Sequence, residues 1–311
     1  MIMFQKDKKY ILDGGSGQTL LEMGLETTGD LWSAQALIDS KYHSLVLKMH
    51  QDFINAGSEV IVTSNFSVRK RMFAKHNLLD HFEEGLTYAG KIAQKAKIES
   101  NKNIIVAGSL PNQGNTYSPI QFETDKTIYD NFLEICIILN EYIDIFYLDV
   151  LSSIKEIKLG LEATKNFNKQ TLVGVHLRYD ARLPSGETLY EVFNVIKDYN
   201  CCGIISACVS PEVVELSLQD LQKQKLPFGY KMNLFKDMPT NNKKTFSKEG
   251  FDGDNKYEYA DPVELLGSRA NEYNEDKFKN FVIKTLKDNV SLIGGCCEIK
   301  PRHINKLKNI F

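Results

Sequence analysis

The chain has 311 residues, 42% of them hydrophobic, which is enough to bury the core of one barrel-sized domain. Its 38 lysine and arginine residues nearly balance its 40 aspartate and glutamate residues, which argues against a nucleic-acid partner. The opening residues carry no secretory signal, and no window has the apolar length needed to cross a bilayer. We therefore expect a cytosolic protein without membrane segments.

Short apolar runs alternate with segments of helical periodicity along the chain. The predicted strands are, in chain order, Tyr10–Asp13, Glu59–Thr63, Asn103–Gly108, Ile145–Leu148, Thr171–His176, Gly203–Ser206, Phe228–Met232 and Val290–Ile293. The predicted helices are Tyr42–Ala56, Lys70–Ser100, Thr124–Tyr142, Ile154–Asn166, Leu189–Tyr199, Pro211–Gln224, Pro262–Tyr273, Lys277–Asp288 and His303–Asn309. The polar stretch Asn241–Tyr259 is predicted to be a long surface loop.

Alternating strands and helices favour a parallel sheet, and eight such units in this length favour a closed barrel. The predicted fold is therefore a single (β/α)8 TIM barrel of the α/β class, with residues 1–311 as one domain. The alternative is a doubly wound open sheet with a phosphate-binding loop after the first strand. The glycine-rich segment 13–17 does not support it, because this segment lacks the G-x-G-x-x-G spacing.

Three of the six cysteines follow strand ends: Cys208 after the sixth strand, and Cys296 and Cys297 after the eighth. Catalytic groups of such barrels lie at the carboxyl ends of the strands, so these three thiols should converge. Three thiolates select zinc and leave one tetrahedral position open, as in catalytic zinc sites. The other cysteines, Cys136, Cys201 and Cys202, are interpreted as packing residues.

Several short motifs together resemble the homocysteine S-methyltransferase family along nearly the whole chain. They are Leu12-Asp13-Gly14-Gly15, Leu31-Trp32-Ser33-Ala34, Ala56-Gly57-Ser58-Glu59-Val60-Ile61 with Thr63, Ser185-Gly186-Glu187-Thr188-Leu189, Cys208-Val209-Ser210-Pro211, Ile293-Gly294-Gly295-Cys296-Cys297 and Pro301-Arg302-His303-Ile304. The Gly-Gly-Cys-Cys element with an upstream Cys-x-x-Pro is the specific part of this resemblance.

The resemblance implies a role for each matching residue. The implied zinc ligands are Cys208, Cys296 and Cys297, and the implied substrate-binding residues are Asp13, Gly14, Thr63 and Asp149 for homocysteine and Trp32 for the methyl donor. The sequence departs from the family pattern around the acceptor. The departing residues are Asp149 in place of glutamate, His176, Ala207, Tyr230-Lys231-Met232-Asn233 and Glu298-Ile299-Lys300.

The implied reaction is methyl transfer from a sulfonium donor, S-methylmethionine or S-adenosylmethionine, to homocysteine held by Zn²⁺. Metal coordination deprotonates a thiol outright, so no general base is required. A betaine-type donor, another thiol or selenol acceptor, and a barrel that binds zinc without catalysis remain alternatives, and the oligomeric state stays open. Asp149 has its own alternative role, which is to cap the helix that begins near Ser152.

Overall fold

The computed structural model describes residues 3–27, 29–114, 123–236 and 266–310. Within these ranges eight parallel strands form one sheet. They are β1 (Tyr10–Ile11), β2 (Val60–Val62), β3 (Ile105–Pro111), β4 (Ile145–Leu151), β5 (Thr171–Val175), β6 (Cys201–Val209), β7 (Phe228–Met232) and β8 (Leu292–Gly295).

From β2 to β8 each strand pairs with its sequence neighbour, and β8 pairs with β1 through Tyr10 and Leu292. A parallel bridge between Leu12 and Val60 joins the two ends of the sheet. The Glu59 amide adds a closing hydrogen bond of 2.7 Å to the carbonyl of Ile11. The predicted (β/α)8 barrel is therefore confirmed, and the open-sheet alternative is wrong.

Helices follow the strands and cover the outside of the barrel. They are α1 (Ser16–Glu22), α2 (Gln35–Ile38), α3 (His43–Ala56), α4 (Lys70–Lys75), α5 (Phe82–Ser100), α6 (Asp125–Leu139), α7 (Ile154–Thr164), α8 (Leu189–Ile196), α9 (Pro211–Leu221), α10 (Glu275–Thr285) and α11 (Pro301–Asn305). Side-chain caps fix several starts, including a capping box in which Thr188 and Glu191 bond each other's backbone amides. None of the helices in the described ranges combines the length and apolar character that crossing a membrane requires.

The apolar core has two layers because strand side chains alternate between the two faces of the sheet. The inner layer fills the barrel and includes Val62, Ala107, Tyr147 and Ile205. The outer layer packs strands against helices and contains most of the large buried side chains. A filled interior leaves the carboxyl ends of the strands as the place for a site.

The predicted continuous helix Lys70–Ser100 is wrong in its middle. Helix α4 ends at Lys75, Asn77 takes a left-handed backbone with φ 57°, and a 3-10 turn at Leu79–His81 leads into α5. Asparagine adopts this conformation at low cost and so ends a helix without a glycine.

The predicted helix Pro262–Tyr273 can be compared only from residue 266 onward, because residues 237–265, and with them the predicted loop Asn241–Tyr259, lie outside the described ranges. Leu266 is helical, but the helix does not continue to Tyr273 as predicted. Residues 267–273 form no helix. Gly267 has a φ of 66°, and Ser268 instead pairs with Phe235 in an antiparallel bridge.

Two strands carry irregularities at their carboxyl ends. The register of β4 shifts between Leu148 and Leu151, and that of β6 shifts between Ala207 and Val209. At each shift one non-glycine residue has a positive φ: Val150 at 62° and Cys208 at 54°. Bulges of this kind redirect side chains beside functional sites.

Candidate active site

Three cysteine side chains meet at the carboxyl end of the barrel, and we call them the thiol cluster: Cys208, Cys296 and Cys297. The Sγ atoms of Cys208 and Cys297 are 3.9 Å apart, as are those of Cys296 and Cys297. All three Sγ atoms lie within 4.8 Å of one another. The structure thus brings together the three thiols that the sequence singled out.

The backbone around the cluster is held tightly. Cys208 occupies the bulge of β6, and the amide of Cys296 donates to the carbonyl of Met232 at 2.7 Å. A Cβ on Gly295 would lie 2.1 Å from Cγ2 of Ile299, and one on Gly294 would lie 2.6 Å from Cβ of Leu12. Glycine is therefore required at both positions for the chain to deliver two consecutive cysteines to the mouth.

The thiol cluster has the dimensions of a metal site. Tetrahedral coordination with Zn–S bonds of about 2.3 Å separates sulfur atoms by about 3.8 Å, close to the two short separations found here. Contact with Cys208 and burial raise the pKa of Cys297 well above its ordinary value, so thiolates in this cluster need a cation. The Asn233 side chain donates to Cys208 Sγ at 3.6 Å and orients it. Cys208, Cys296 and Cys297 can therefore hold a soft divalent metal.

Asp13, a predicted substrate contact, follows β1 and is fully buried. Its Oδ2 accepts a hydrogen bond of 2.7 Å from the Val62 amide, and its Oδ1 accepts one from the ammonium of Lys231. Both carboxylate oxygens are thus engaged within the protein. Burial raises the pKa of Asp13, and contact with Lys231 opposes that rise.

Asp149 lies at the irregular end of β4, and its Oδ2 accepts a hydrogen bond of 2.7 Å from the Ser109 hydroxyl. Burial is the main cause that raises its pKa to about 6. The following helix is capped by Ser153, whose hydroxyl accepts from the Glu156 amide, so the helix-capping alternative for Asp149 is wrong. Asp149 therefore stands at the barrel mouth, as the sequence predicts.

Lys231 was not among the site residues predicted from the sequence. It is 6% exposed, it pairs with Asp13, and the Asp13 and Asp149 carboxylates raise its pKa by more than burial lowers it. We call Asp13, Asp149 and Lys231 the charged triad. The departure from the family pattern at Lys231 was visible in the sequence, but its pairing with Asp13, which follows β1, was not.

Gly14 and Thr63 also lie at this end of the barrel. A Cβ on Gly14 would lie 2.1 Å from the carbonyl oxygen of Ile299, so the chain passes too closely there for any other residue. The Thr63 hydroxyl donates to Asn65 at 2.6 Å and accepts from the Ser109 amide at 2.9 Å. Its hydrogen bonds therefore stay within the protein, and it shapes the wall of the site.

Trp32 lies in a 3-10 segment with an unusual backbone of φ 44° and ψ −126°. Its indole ring packs on Gly17, where a Cβ would lie only 2.2 Å from the ring carbon Cζ2. Its indole N–H is buried and has no hydrogen-bond acceptor among the described residues. Gly17 is two residues after Gly15, and a Cβ on Gly15 would lie 2.6 Å from the carbonyl oxygen of Cys296. The tryptophan thus stands beside the segment that borders the thiol cluster.

The remaining cysteines lie away from the cluster. Cys201 and Cys202 begin β6 at the opposite end of the barrel, and Cys136 is buried on α6. Burial raises the pKa of Cys201 to about 12, as expected for a packing thiol.

A barrel with three convergent thiols at the carboxyl ends of its strands belongs, as a class, to the (β/α)8 enzymes that can use a thiolate-bound metal. The family model described as "Homocysteine S-methyltransferase" matches residues 10–311. The chain belongs to the homocysteine S-methyltransferase family and is a methyltransferase.

The chain is similar to known homocysteine methyltransferases over nearly its whole length. Homocysteine S-methyltransferase 3 of Zea mays is 23% identical, with 96% of this chain and 89% of the relative covered. Homocysteine S-methyltransferase 2 of Saccharomyces cerevisiae is 21% identical, with 96% and 93% covered. The solved structure of the homocysteine methyltransferase MmuM from Escherichia coli, metallated form, superposes with a TM-score of 0.77 at 19% identity, with 98% and 96% covered. That structure supports the same fold.

Proposed function

We propose that this protein transfers a methyl group from a sulfonium donor, S-methylmethionine or S-adenosylmethionine, to homocysteine, giving methionine, and that it depends on Zn²⁺. The observation that carries the proposal is the thiol cluster, whose 3.9 Å sulfur separations suit one tetrahedral metal. Three protein ligands leave a fourth position for the acceptor sulfur. Zinc bound there would hold the acceptor as a thiolate at neutral pH.

The protein's own side chains would bind and orient the acceptor. Asp149 is the acidic group that remains for the acceptor ammonium, because Lys231 already engages Asp13. The Asn233 side chain donates to Cys208 Sγ and would orient this thiol toward the metal. Fixing both reactants before reaction supplies much of the rate gain in a bimolecular displacement.

A cationic methyl donor, such as a sulfonium, is supported by Trp32. The electron-rich face of an indole attracts a cation, and the ring lies beside the segment that borders the thiol cluster. We place the reaction in the cytosol, since three thiols this close together would oxidise outside a reducing compartment.

The test is a product assay with purified, reduced, zinc-loaded protein. Homocysteine is offered with each of three methyl donors: S-methylmethionine, S-adenosylmethionine and betaine. The proposal expects methionine with at least one sulfonium donor and no methionine with betaine. Turnover with betaine alone would overturn the donor assignment, and a lack of methionine with all three would overturn the proposed reaction.

A further inference from the structure

Lys231 lies inside the barrel because of strand alternation. Its neighbours Tyr230 and Met232 belong to the outer layer, where the Tyr230 hydroxyl bonds Thr285 at 2.8 Å. The side chain between them must therefore enter the interior. A lysine with 6% exposure is rare unless it is paired.

The pairing of Lys231 is incomplete. A lysine ammonium has three hydrogen-bond donors, and among the described residues only Asp13 accepts one of them. Unused donors on a buried cation are costly. The charged triad contains two carboxylates and one cation, and Lys231 is paired with Asp13. Asp149 is thus left to attract the cation of a ligand, and the remaining Lys231 donors are left for its anion.

The position of Lys231 relative to the thiol cluster suits a short acceptor. Lys231 is paired in register with Gly294 on β8, two residues before Cys296. The next residue on β7, Met232, accepts the hydrogen bond from the Cys296 amide. An acceptor whose sulfur sits at the thiol cluster thus has its other end beside Lys231.

We propose that Lys231 is the acceptor's carboxylate-binding residue, so that the carboxylate contributes more to acceptor recognition than the ammonium does. The inference rests on the proposed methyl transfer to a thiol. The lysine donates its free N–H groups to the carboxylate, while one N–H stays on Asp13. The alternative is that Lys231 only neutralises Asp13, in which case it would not discriminate between acceptors.

The first experiment uses the unmodified protein and two analogues of homocysteine. 4-Sulfanylbutanoate lacks the amino group, and 3-aminopropane-1-thiol lacks the carboxylate. Calorimetric titration of the zinc-loaded protein measures binding, and donor-saturated kinetics measure kcat and KM. The carboxylate would accept two charged hydrogen bonds from Lys231, whereas the ammonium would make one with Asp149. This difference of one bond predicts that the carboxylate thiol binds at least about tenfold more tightly than the amine thiol.

The second experiment removes the charge pair as a unit. Replacing Lys231 alone strands a buried carboxylate, so we combine Lys231→Met with Asp13→Asn, which keeps an acceptor for the Val62 amide. The preference for the carboxylate thiol should be lost, through KM more than kcat, because Asp149 still binds the ammonium while the carboxylate has no cation. The matched control, Lys48→Met with Asp52→Asn on the exposed face of α3, should keep the full preference.

Equal binding of the two analogues, or tighter binding of the amine thiol, would overturn the role of Lys231. An unchanged preference in the double variant would overturn it as well. These outcomes are separate from the proposed reaction, because calorimetry ranks the analogues even if no thiol is methylated. Methionine formation together with a reversed ranking would leave the reaction intact and reject Lys231 alone.

Discussion

The thiol cluster and the charged triad lie side by side at one end of the barrel, yet they differ in how they relate to the family pattern. The cluster, Cys208 with Cys296 and Cys297, retains every residue of the metal motif and converges within 4.8 Å. The triad replaces a glutamate by Asp149 and introduces a lysine that holds Asp13. The residues that match the family's metal motif and the residues that depart from the family pattern therefore lie on separate strands.

The two regions also differ in what fixes their geometry. The thiols are delivered by backbone features, namely a bulge on β6 and two glycines that admit no Cβ. The triad depends on side chains, which come from the residue Asp13 after β1 and from β4 and β7. Substitutions in one region should therefore leave the other region intact, which allows the effects of the two regions to be compared.

The largest effect should come from the thiol cluster. Cys208→Ser replaces a soft ligand and should lower kcat/KM by more than about a hundredfold, beyond the loss typical of an outer-shell partner. Cys136→Ser, a buried thiol on α6, is the control and should retain activity. The measurement is kcat/KM of both variants from steady-state kinetics at equal zinc concentration. Comparable values would contradict a role of the thiol cluster in the reaction.

The charged triad should show its largest effect in stability. Lys231→Met leaves Asp13 buried without its cation and should lower the free energy of unfolding by about 3–5 kcal/mol. The side chains of Lys231 and Asp13 are 7% and 0% exposed. The control is the ion pair of Lys48 and Asp52, whose side chains are 62% and 35% exposed. Lys48→Met should cost under about 1 kcal/mol. Similar urea midpoints for the two variants would mean that the buried pair is not a stabilising contact.

Asp149 should govern recognition of the acceptor ammonium. Because burial raises its pKa to about 6, the carboxylate is charged above that pH and neutral below it. The KM for homocysteine should therefore rise as the pH falls through about 6, while 4-sulfanylbutanoate, which has no ammonium, should lack this component. The second acceptor separates Asp149 from any acid effect on the metal site.

Two substitutions of Asp149 test the same role in binding the acceptor ammonium. Asp149→Asn should raise the homocysteine KM about tenfold, the loss of one charged hydrogen bond, and should remove the difference in pH profile between the two acceptors. Asp149→Glu reaches one methylene further and should lower that KM. An unchanged KM in both variants would exclude Asp149 from acceptor binding.

The smallest effect concerns the methyl donor. Trp32→Ala should raise the donor KM about fivefold, as expected from a cation–π contact of about 1 kcal/mol, without changing the acceptor KM. Trp32→Phe keeps an aromatic face and should recover part of the loss. A stability loss with both KM values unchanged would assign Trp32 to packing on Gly17.

The sequence predicted the parts that depend on local pattern. Strand β7 was predicted with its observed ends, and the thiols could be placed because barrel chemistry occupies strand ends. The bulges at Val150 and Cys208 could not be predicted, because register shifts arise from pairing between strands. The Lys231–Asp13 pair joins residues 218 positions apart, and periodicity carries no information on such contacts.

The most direct test of the account is the zinc content of the purified, reduced protein. We expect one zinc per chain in the unmodified protein and none in the Cys296→Ala/Cys297→Ala variant. The control is the other adjacent pair, Cys201→Ala/Cys202→Ala, at the opposite end of β6, which should retain full zinc. Full zinc occupancy in the Cys296→Ala/Cys297→Ala variant would contradict the assignment of the thiol cluster as the metal site.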